Sequence, residues 1–400
     1  MRIVILGVED LLWRLPETLA GAHTEVIVVG PPGSFLRNSD FVSSFIALTP
    51  VKPADGWYST VVHHARMLAQ LDADWYFLGS DGLAAAIAQS DLPVDIKLRL
   101  LPTRGVDGLA LMGSKVGLAE TMVSAGLDKP KTVVIEKPHL LAPVLRSSSL
   151  PVMVKANIGR GGTGVVRLTS AEDADIPETW FPVVVQDFIA GRTISVEALF
   201  MDGRLLGWLY SEALAYSAPN GPSSIRRFVD PPSRDFETLL NRVGAKAKLE
   251  GFFNCSLMWN ESKGSHFLFE VDPRPNAWFQ FGPQLGVDWA ALMRGEDVPH
   301  SPVLPHRGTV IHLYPRSVSS AWRRNQPWRV LPWVLRVPGT YAARNWRDSS
   351  VNERERMLVR RSMRHSLLRI PIAAYRRLPD DVRHRIQRSR FAGILRKISG

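Results

Sequence analysis

Two β-branched runs near the start of the chain, Arg2 to Gly7 and Thr24 to Gly30, each end in glycine and are separated by a helix-length spacer closing at Gly21. That order fixes a βαβ opening, because parallel neighbours need a crossover between them. Asp74 to Gly79 reads as a further strand, followed by Ser80, Asp81 and a helical patch at Leu83 to Gln89. Residues 1–108 are therefore expected to form a small doubly wound α/β domain. Its first turn, Gly7-Val8-Glu9-Asp10, lacks the second and third glycines of a dinucleotide fingerprint, so NAD is not expected there.

From residue 109 to 295 the pattern changes. Gly113 to Gly126 reads as a helix carrying Lys115, and strands then crowd together: Thr132 to Ile135, Val152 to Lys155, Gly164 to Leu168, Val183 to Phe188, Thr193 to Phe200, Leu205 to Ser211, Phe253 to Trp259 and His266 to Val271. One helix, Arg234 to Leu249, is interposed, with Leu239, Leu240, Val243, Ala247 and Leu249 at roughly helical spacing. Mostly antiparallel strands with one or two helices make an α+β domain.

Charge separates a third region, 296–400. Residues 1–300 hold 27 Lys+Arg against 33 Asp+Glu, whereas the last 100 residues hold 22 against 5, so the whole net charge of +11 comes from the end of the chain. Such asymmetry marks a distinct basic segment rather than a basic enzyme surface. There Trp322, Trp328, Trp333 and Trp346 alternate with Arg316, Arg323, Arg324, Arg329, Arg336 and Arg344, and residues 351–370 and 380–397 read as short basic helices. These can pack on the body, lie on an anionic membrane surface or bind nucleic acid by charge, the last being the least expected. A lone cysteine, Cys255, rules out an internal disulfide. No run approaches the roughly 20 apolar residues of a spanning helix, and the apolar start is too short for a signal peptide. The expected location is the cytoplasm, with peripheral attachment at the inner membrane face as a further expectation.

Three segments carry chemistry. In Pro151-Val-Met-Val-Lys155-Ala-Asn-Ile-Gly159-Arg-Gly161-Gly162-Thr-Gly164 a strand delivers a lysine into a glycine loop. The glycines let backbone N–H groups approach phosphate oxygens while the lysine supplies a point charge; the plain alternative is a hairpin turn with an incidental lysine. Val183-Val-Val-Gln186-Asp187-Phe188-Ile189 is a strand running into a turn, whose backbone can read a base edge, although any buried strand end looks alike. Phe267-Leu-Phe-Glu270-Val-Asp272-Pro-Arg274 places two carboxylates at i and i+2 on one strand face, suited to a hard cation, with an arginine beyond them. His63, His64 and His266 show no ligand spacing and read as structural.

Together, in this order, the segments resemble the ATP-grasp superfamily, and particularly its carboxylate-amine ligases and carbamoyl-phosphate-synthase-like members. The resemblance spans roughly residues 1–295 and implies an N-terminal Rossmann-like domain followed by a two-lobed ATP-grasp domain. It implies that Lys115 and Lys155 hold the phosphates of ATP and that Gly161, Gly162 and Gly164 form a mobile lid. Gln186, Asp187, Phe188 and Ile189 would take the adenine. Glu270 and Asp272 would bind Mg²⁺ or Mn²⁺, and Arg274 would contact the transferring phosphoryl group, making Lys155 and Arg274 the catalytic pair. Asp272 stands where the family usually has asparagine, and Asn254 is the best oxygen where a further ligand is usual. Thr193 occupies the place of a ribose-binding acid, with Glu197 as a substitute. Ser223, Ser224, Arg226 and Arg227 resemble the stretch bordering the acceptor, where paired arginines could grip a carboxylate bidentately. The implied activity joins a small-molecule carboxylate to an amine through an acyl phosphate. A weakened ATP-binding scaffold and an ATP-grasp kinase are the alternatives.

Overall fold

The computed structural model describes residues 1–361 except 22, 53–55, 128–129, 160–162, 173, 218–221, 305–307, 315, 324–339 and 342–346. Gly161, Gly162, Trp328, Trp333, Trp346 and the expected helices beyond residue 361 lie outside the described residues.

The opening alternation builds a parallel sheet of β1 (Arg2–Leu6), β2 (Glu25–Gly30), β3 (Ser44–Ala47) and β4 (Trp75–Leu78), in the order β3-β2-β1-β4. Helices α1 (Leu15–Leu19), α2 (Trp57–His63), α3 (Ala65–Ala69), α4 (Asp81–Gln89) and α5 (Val94–Leu100) accompany it. Ile3 to Leu6 are all buried, as expected of a parallel strand covered on both faces. The chain steps outward from β1 to β2 and β3, then returns to the other side of β1 with β4. Strand order thus reverses between β1 and β4. Ser80 starts α4 by accepting a hydrogen bond from the Leu83 N–H at 3.2 Å.

The second lobe contains α6 (Lys115–Ser124), β5 (Thr132–Ile135), α7 (Leu141–Ser147), β6 (Val152–Ala156), β7 (Val165–Leu168) and β8 (Val183–Asp187). Its antiparallel sheet runs β5-β8-β6-β7. The third and largest unit is a seven-stranded sheet in the order β13-β12-β9-β10-β11-β14-β15. Its strands are β9 (Arg192–Met201), β10 (Arg204–Tyr216), β11 (Ser223–Phe228), β12 (Gly251–Asn260), β13 (Ser265–Asp272), β14 (Thr309–His312) and β15 (Thr340–Tyr341). Helix α8 (Asp235–Ala247) packs on it, and α9 (Trp289–Met293) and α10 (Arg316–Arg323) follow.

Every strand expected from the sequence is present within a few residues of its expected ends. Two boundaries differ. The segment around Ser223 to Arg227, absent from the strands expected, is the strand β11, and β14 pairs antiparallel with it through Ile225–His312 to Phe228–Thr309. The large sheet therefore continues past residue 295, because Thr309-Val-Ile-His is itself a β-branched run flanked by Gly308. The basic region also docks on the first domain through its few acids. Residues 349–361 are helical, Val351 is fully buried, Glu355 pairs with Arg14, and Asp348 accepts from the Ser39 hydroxyl. Over these residues the expectation of a helix packed on the body holds.

Burial divides the molecule differently from sequence order. The N-terminal sheet and the large sheet share a continuous core, in which Leu6 and Leu78 join Val196, Phe200, Phe236 and Phe253. The small lobe keeps a core of its own around Ile135, Leu145, Val154 and Val185. Helix α8 supplies the apolar stripe Phe236, Leu240, Val243 and Ala247, at helical spacing, to the shared core. Phe236 sits edge-on to Trp208 at 5.1 Å between ring centres and 5.5 Å from both Tyr210 and His266. His266 is buried there, held by Asp235 at 2.6 Å and Tyr210 at 2.9 Å, as its structural reading expected. Replacing Phe236 with alanine empties the centre of this cluster, and chemical denaturation of Phe236→Ala is expected to show a loss of about 3–5 kcal/mol.

Candidate active site

A cleft of about 430 Å³ opens between the small lobe and the large sheet, within the usual size of small-molecule sites. Strand β6 brings Met153 and Lys155 to it, and β8 with its turn brings Gln186, Asp187, Phe188 and Ile189. Met258, Phe267, Phe269 and Glu270 close it from β12 and β13. Lys115, at the start of α6, also lines it, and Ser114 caps that helix while donating to Asn157 Oδ1 at 2.8 Å. The Lys115 amide donates to the Asn157 carbonyl at 3.1 Å, so α6 is fastened to the end of β6 beside its lysine. Thr163 and Gly159 complete the wall, and Gly164, with φ of +76°, turns the chain into β7.

One irregularity makes the cleft face possible. Strict alternation along β13 would turn Phe267 and Phe269 to one side and Glu270 and Asp272 to the other. The pairing with β12 shifts, however: Leu268 opposes Leu257 while Glu270 opposes Ser256, leaving Phe269 as an extra residue. Such a bulge rotates the strand's phase. Phe267, Phe269 and Glu270 consequently all line the cleft, apolar rings at one end and carboxylate at the other.

Lys155 is 7% exposed, donates to Gln186 Oε1 at 2.7 Å and to the Phe269 carbonyl at 3.3 Å, and lies over the Phe269 ring. Burial draws its pKa down to about 8, with Lys115 adding to the effect and Glu270 opposing it. Beyond Glu270, Asp272 is partly buried and accepts from Asn254 Nδ2 at 3.1 Å and from Arg274 at 3.0 Å. Burial, then the neighbouring Asp81, holds the Asp272 carboxyl well above the usual range, and Arg274 pulls against them. Arg274 also sits 2.9 Å from Asp81, the first residue of α4, and Asn276 donates to Asn254 Oδ1 at 3.1 Å. Among the described residues no group of three or more His, Cys, Asp and Glu could hold a metal alone. Glu270 lines the cleft, whereas Asp272 is engaged by Asn254 and Arg274 and does not line it; a Mg²⁺ shared with nucleotide phosphates commonly takes only one or two protein carboxylates, so Glu270 with Asp272 beside it is compatible with one.

Four expectations need correction. Arg226 and Arg227 do not form a pair, because neighbours on a strand face opposite ways. Arg226 is buried, bonded to Glu197 at 2.6 Å and to Ser223 at 2.7 Å, and stacked on Trp278, whereas Arg227 is exposed. Ser223 and Ser224 are buried with Arg226 in the sheet and do not line the cleft. Glu197, 1% exposed, is spoken for by Arg226 and is no substitute for a ribose-binding acid. Burial raises its carboxyl, with Arg226 opposing. Thr193, cross-strand from Met258, is exposed beside the cleft without lining it. Arg167, which the sequence reading passed over, lines the cleft with its guanidinium 4.0 Å above the Phe188 ring; its place on β7, opposite Met153, was readable once the β6–β7 hairpin was assumed.

No protein-family model and no curated protein matches this chain. Solved structures do. N5-carboxyaminoimidazole synthetase from Staphylococcus aureus, complexed with ADP, has a TM-score of 0.57 at 16% identity over 77% of this chain and 81% of that one. Phosphoribosylamine–glycine ligase from Thermotoga maritima gives 0.53 at 18% identity over 78% and 79%. The biotin carboxylase domain of Hydrogenobacter thermophilus 2-oxoglutarate carboxylase, in complex with MgADP, ADP and bicarbonate, gives 0.54 at 15% over 75% and 71%. The chain has the ATP-grasp fold.

Two measurements probe this geometry. Below pH 8 Lys155 is already charged in the free protein and meets a triphosphate at no protonation cost. Above it, ATP binding takes up a proton, and affinity falls by up to about tenfold per pH unit until the pKa of the complex is reached. Titration calorimetry in buffers of different ionisation heat should show that uptake, and Lys155→Met should abolish it. Separately, Arg226→Ala leaves Glu197 buried without its partner and is expected to cost about 3–5 kcal/mol in chemical denaturation.

Proposed function

We propose that this protein is an ATP-dependent ligase that activates a substrate carboxylate as an acyl phosphate for attack by an amine, releasing ADP and phosphate. The observation that carries this reading is the convergence of Lys155 from the small lobe and Glu270 from the large sheet on one cleft with apolar walls. Met153, Phe188, Ile189, Met258 and Phe267 suit an adenine, and Lys115 and Lys155 suit the phosphates. Glu270 and Asp272 would hold Mg²⁺ or Mn²⁺, which when bound neutralises phosphate charge and orients the transferring group.

In the proposed reaction a carboxylate oxygen attacks the γ-phosphorus in line, the bond to the β–γ bridging oxygen breaks, and ADP departs. Lys155 stabilises the charge that develops, and Arg274, beside Asp272, contributes to the same field. The glycine loop at 159–164 excludes water from the acyl phosphate until the amine arrives. Attack by the amine nitrogen at the acyl carbon forms the C–N bond, breaks the C–O bond to phosphate and releases a proton. We place the enzyme in the cytoplasm and give the basic segment a tethering role at an anionic membrane surface, on the strength of the +17 balance of residues 301–400, 22 basic against 5 acidic.

The test is a screen of small carboxylic acids and amines for ADP release by the full chain with MgATP. The expected result is ADP release that needs both an acid and an amine and drops by at least about a hundredfold in Lys155→Ala and Glu270→Ala. A stable phosphorylated product formed without amine would identify a kinase instead. Tight ATP binding with no turnover for any pair would identify a scaffold.

A further inference from the structure

Gln186 lines the cleft beside Lys155, yet both polar atoms of its side chain are already bonded within the protein. Its Oε1 accepts from the Lys155 ammonium at 2.7 Å, and its Nε2 donates to the Thr132 hydroxyl at 3.0 Å, which donates in turn to the Pro130 carbonyl at 2.8 Å. A lysine ammonium only donates and a carbonyl only accepts, so this chain of bonds has one possible direction. It fixes which way the Gln186 amide faces, and it ends on backbone, where no proton can travel further. Turning the amide toward a bound base would break both bonds of a side chain that belongs to a residue only 6% exposed.

The three residues sit on three strands of one sheet. Thr132 on β5 lies directly across from Gln186 on β8, and Met153 on β6, two residues before Lys155, lies across from Gln186 on the other side. The bonds therefore run across the small lobe's sheet and anchor a long, flexible side chain to ordered strands. The second acceptor of Lys155 comes from the opposite wall: the Phe269 carbonyl, at 3.3 Å, belongs to the residue left over in the β12–β13 pairing. Both acceptors are neutral. An ammonium has three donors, so two hold Lys155 in place while the third stays available and the holders leave the charge uncancelled. Burial draws the Lys155 pKa down to about 8 and Glu270 offsets this only in part, which agrees with an ammonium that its holders do not neutralise.

From this one-way chain of bonds we infer that Gln186 is a positioning residue: with Thr132 it holds the Lys155 ammonium in place for a phosphate oxygen, and it takes no part in reading the base. A neutral amide suits that task better than a carboxylate, which would fix the lysine as firmly but cancel the charge that phosphates need. The role toward phosphate rests on the reading of the cleft as a nucleotide site; the hold on Lys155 does not.

The test titrates ADP and adenosine, in the presence of Mg²⁺, into the full chain and its variants by calorimetry. Gln186→Met and Gln186→Glu are each expected to lower ADP affinity at least about tenfold, while adenosine binds within about twofold of the wild type. Thr132→Val should show the same selective loss, and Thr132→Ser, which keeps the hydroxyl, should bind like the wild type. A general structural defect would weaken both ligands together. ADP and adenosine weakening in step, or ADP binding unchanged in both Gln186 variants, would overturn the inference. Thermal melting reports which variants are folded; should Gln186→Met fail that control, Gln186→Glu and the Thr132 variants decide. A second measurement needs no nucleotide. Acetic anhydride labels uncharged amines, and mass spectrometry reads labelling at Lys155 against Lys115 in the same molecule. Gln186→Glu should slow the labelling of Lys155 relative to Lys115 at least about tenfold, because a carboxylate keeps the ammonium charged; an unchanged ratio sinks the assignment. Should neither ADP nor adenosine bind the wild-type chain, the nucleotide reading falls, and labelling still decides whether Gln186 holds Lys155.

Discussion

Arg274 is the constraint on which the rest of the site depends. Its partly buried guanidinium reaches Asp272 on the cleft strand at 3.0 Å and Asp81 at the start of α4 at 2.9 Å. Burial by itself draws its pKa down, yet the two carboxylates outweigh that and hold it above the ordinary arginine value. Removing either partner would strand charge in a low-dielectric interior, so the three groups stand or fall together. Asp81 belongs to the first domain and Asp272 to the large sheet. One cation thus adds a polar tie between two units that already share an apolar core.

This fixed pairing contrasts with the other wall of the cleft. The first domain and the large sheet share apolar side chains, whereas the small lobe closes its own core and meets the body mainly through the cleft and α6. A nucleotide placed between them contacts one rigid wall and one independently packed wall. Under the proposed ligase reaction, that division suits a site that excludes water during reaction and releases products afterwards.

Much of the fold was legible because its signals are local. Arg2 to Leu6 and Glu25 to Gly30 announce themselves by β-branching and by closing glycines, and α8 by its stripe from Phe236 to Ala247. The Lys155 strand, the Gln186–Ile189 turn and Glu270 were legible as a set, since each combines a strand with an unusual terminus. Tertiary context hid the rest. Whether Arg226 meets a substrate or a carboxylate within the protein depends on Glu197, 29 residues earlier, and no period in the sequence reports that pairing. The bulge at Phe269 was equally silent, because its register is set by β12 and not by the composition of β13.

The separate core of the small lobe has a thermodynamic consequence. A unit closed by a few aliphatic side chains, and joined to the body mainly through α6 with its Leu118 and Met122 in the shared core, opens at lower free energy than the body, so amides of β6 and β8 exchange through sub-global unfolding while those of β9 and β12 wait for the whole molecule to melt. Anything that bridges β8 to β13 adds its binding energy to the weaker unit first. Occupancy of the cleft would thus be written in the exchange rates of β6 and β8 before it registers in overall stability.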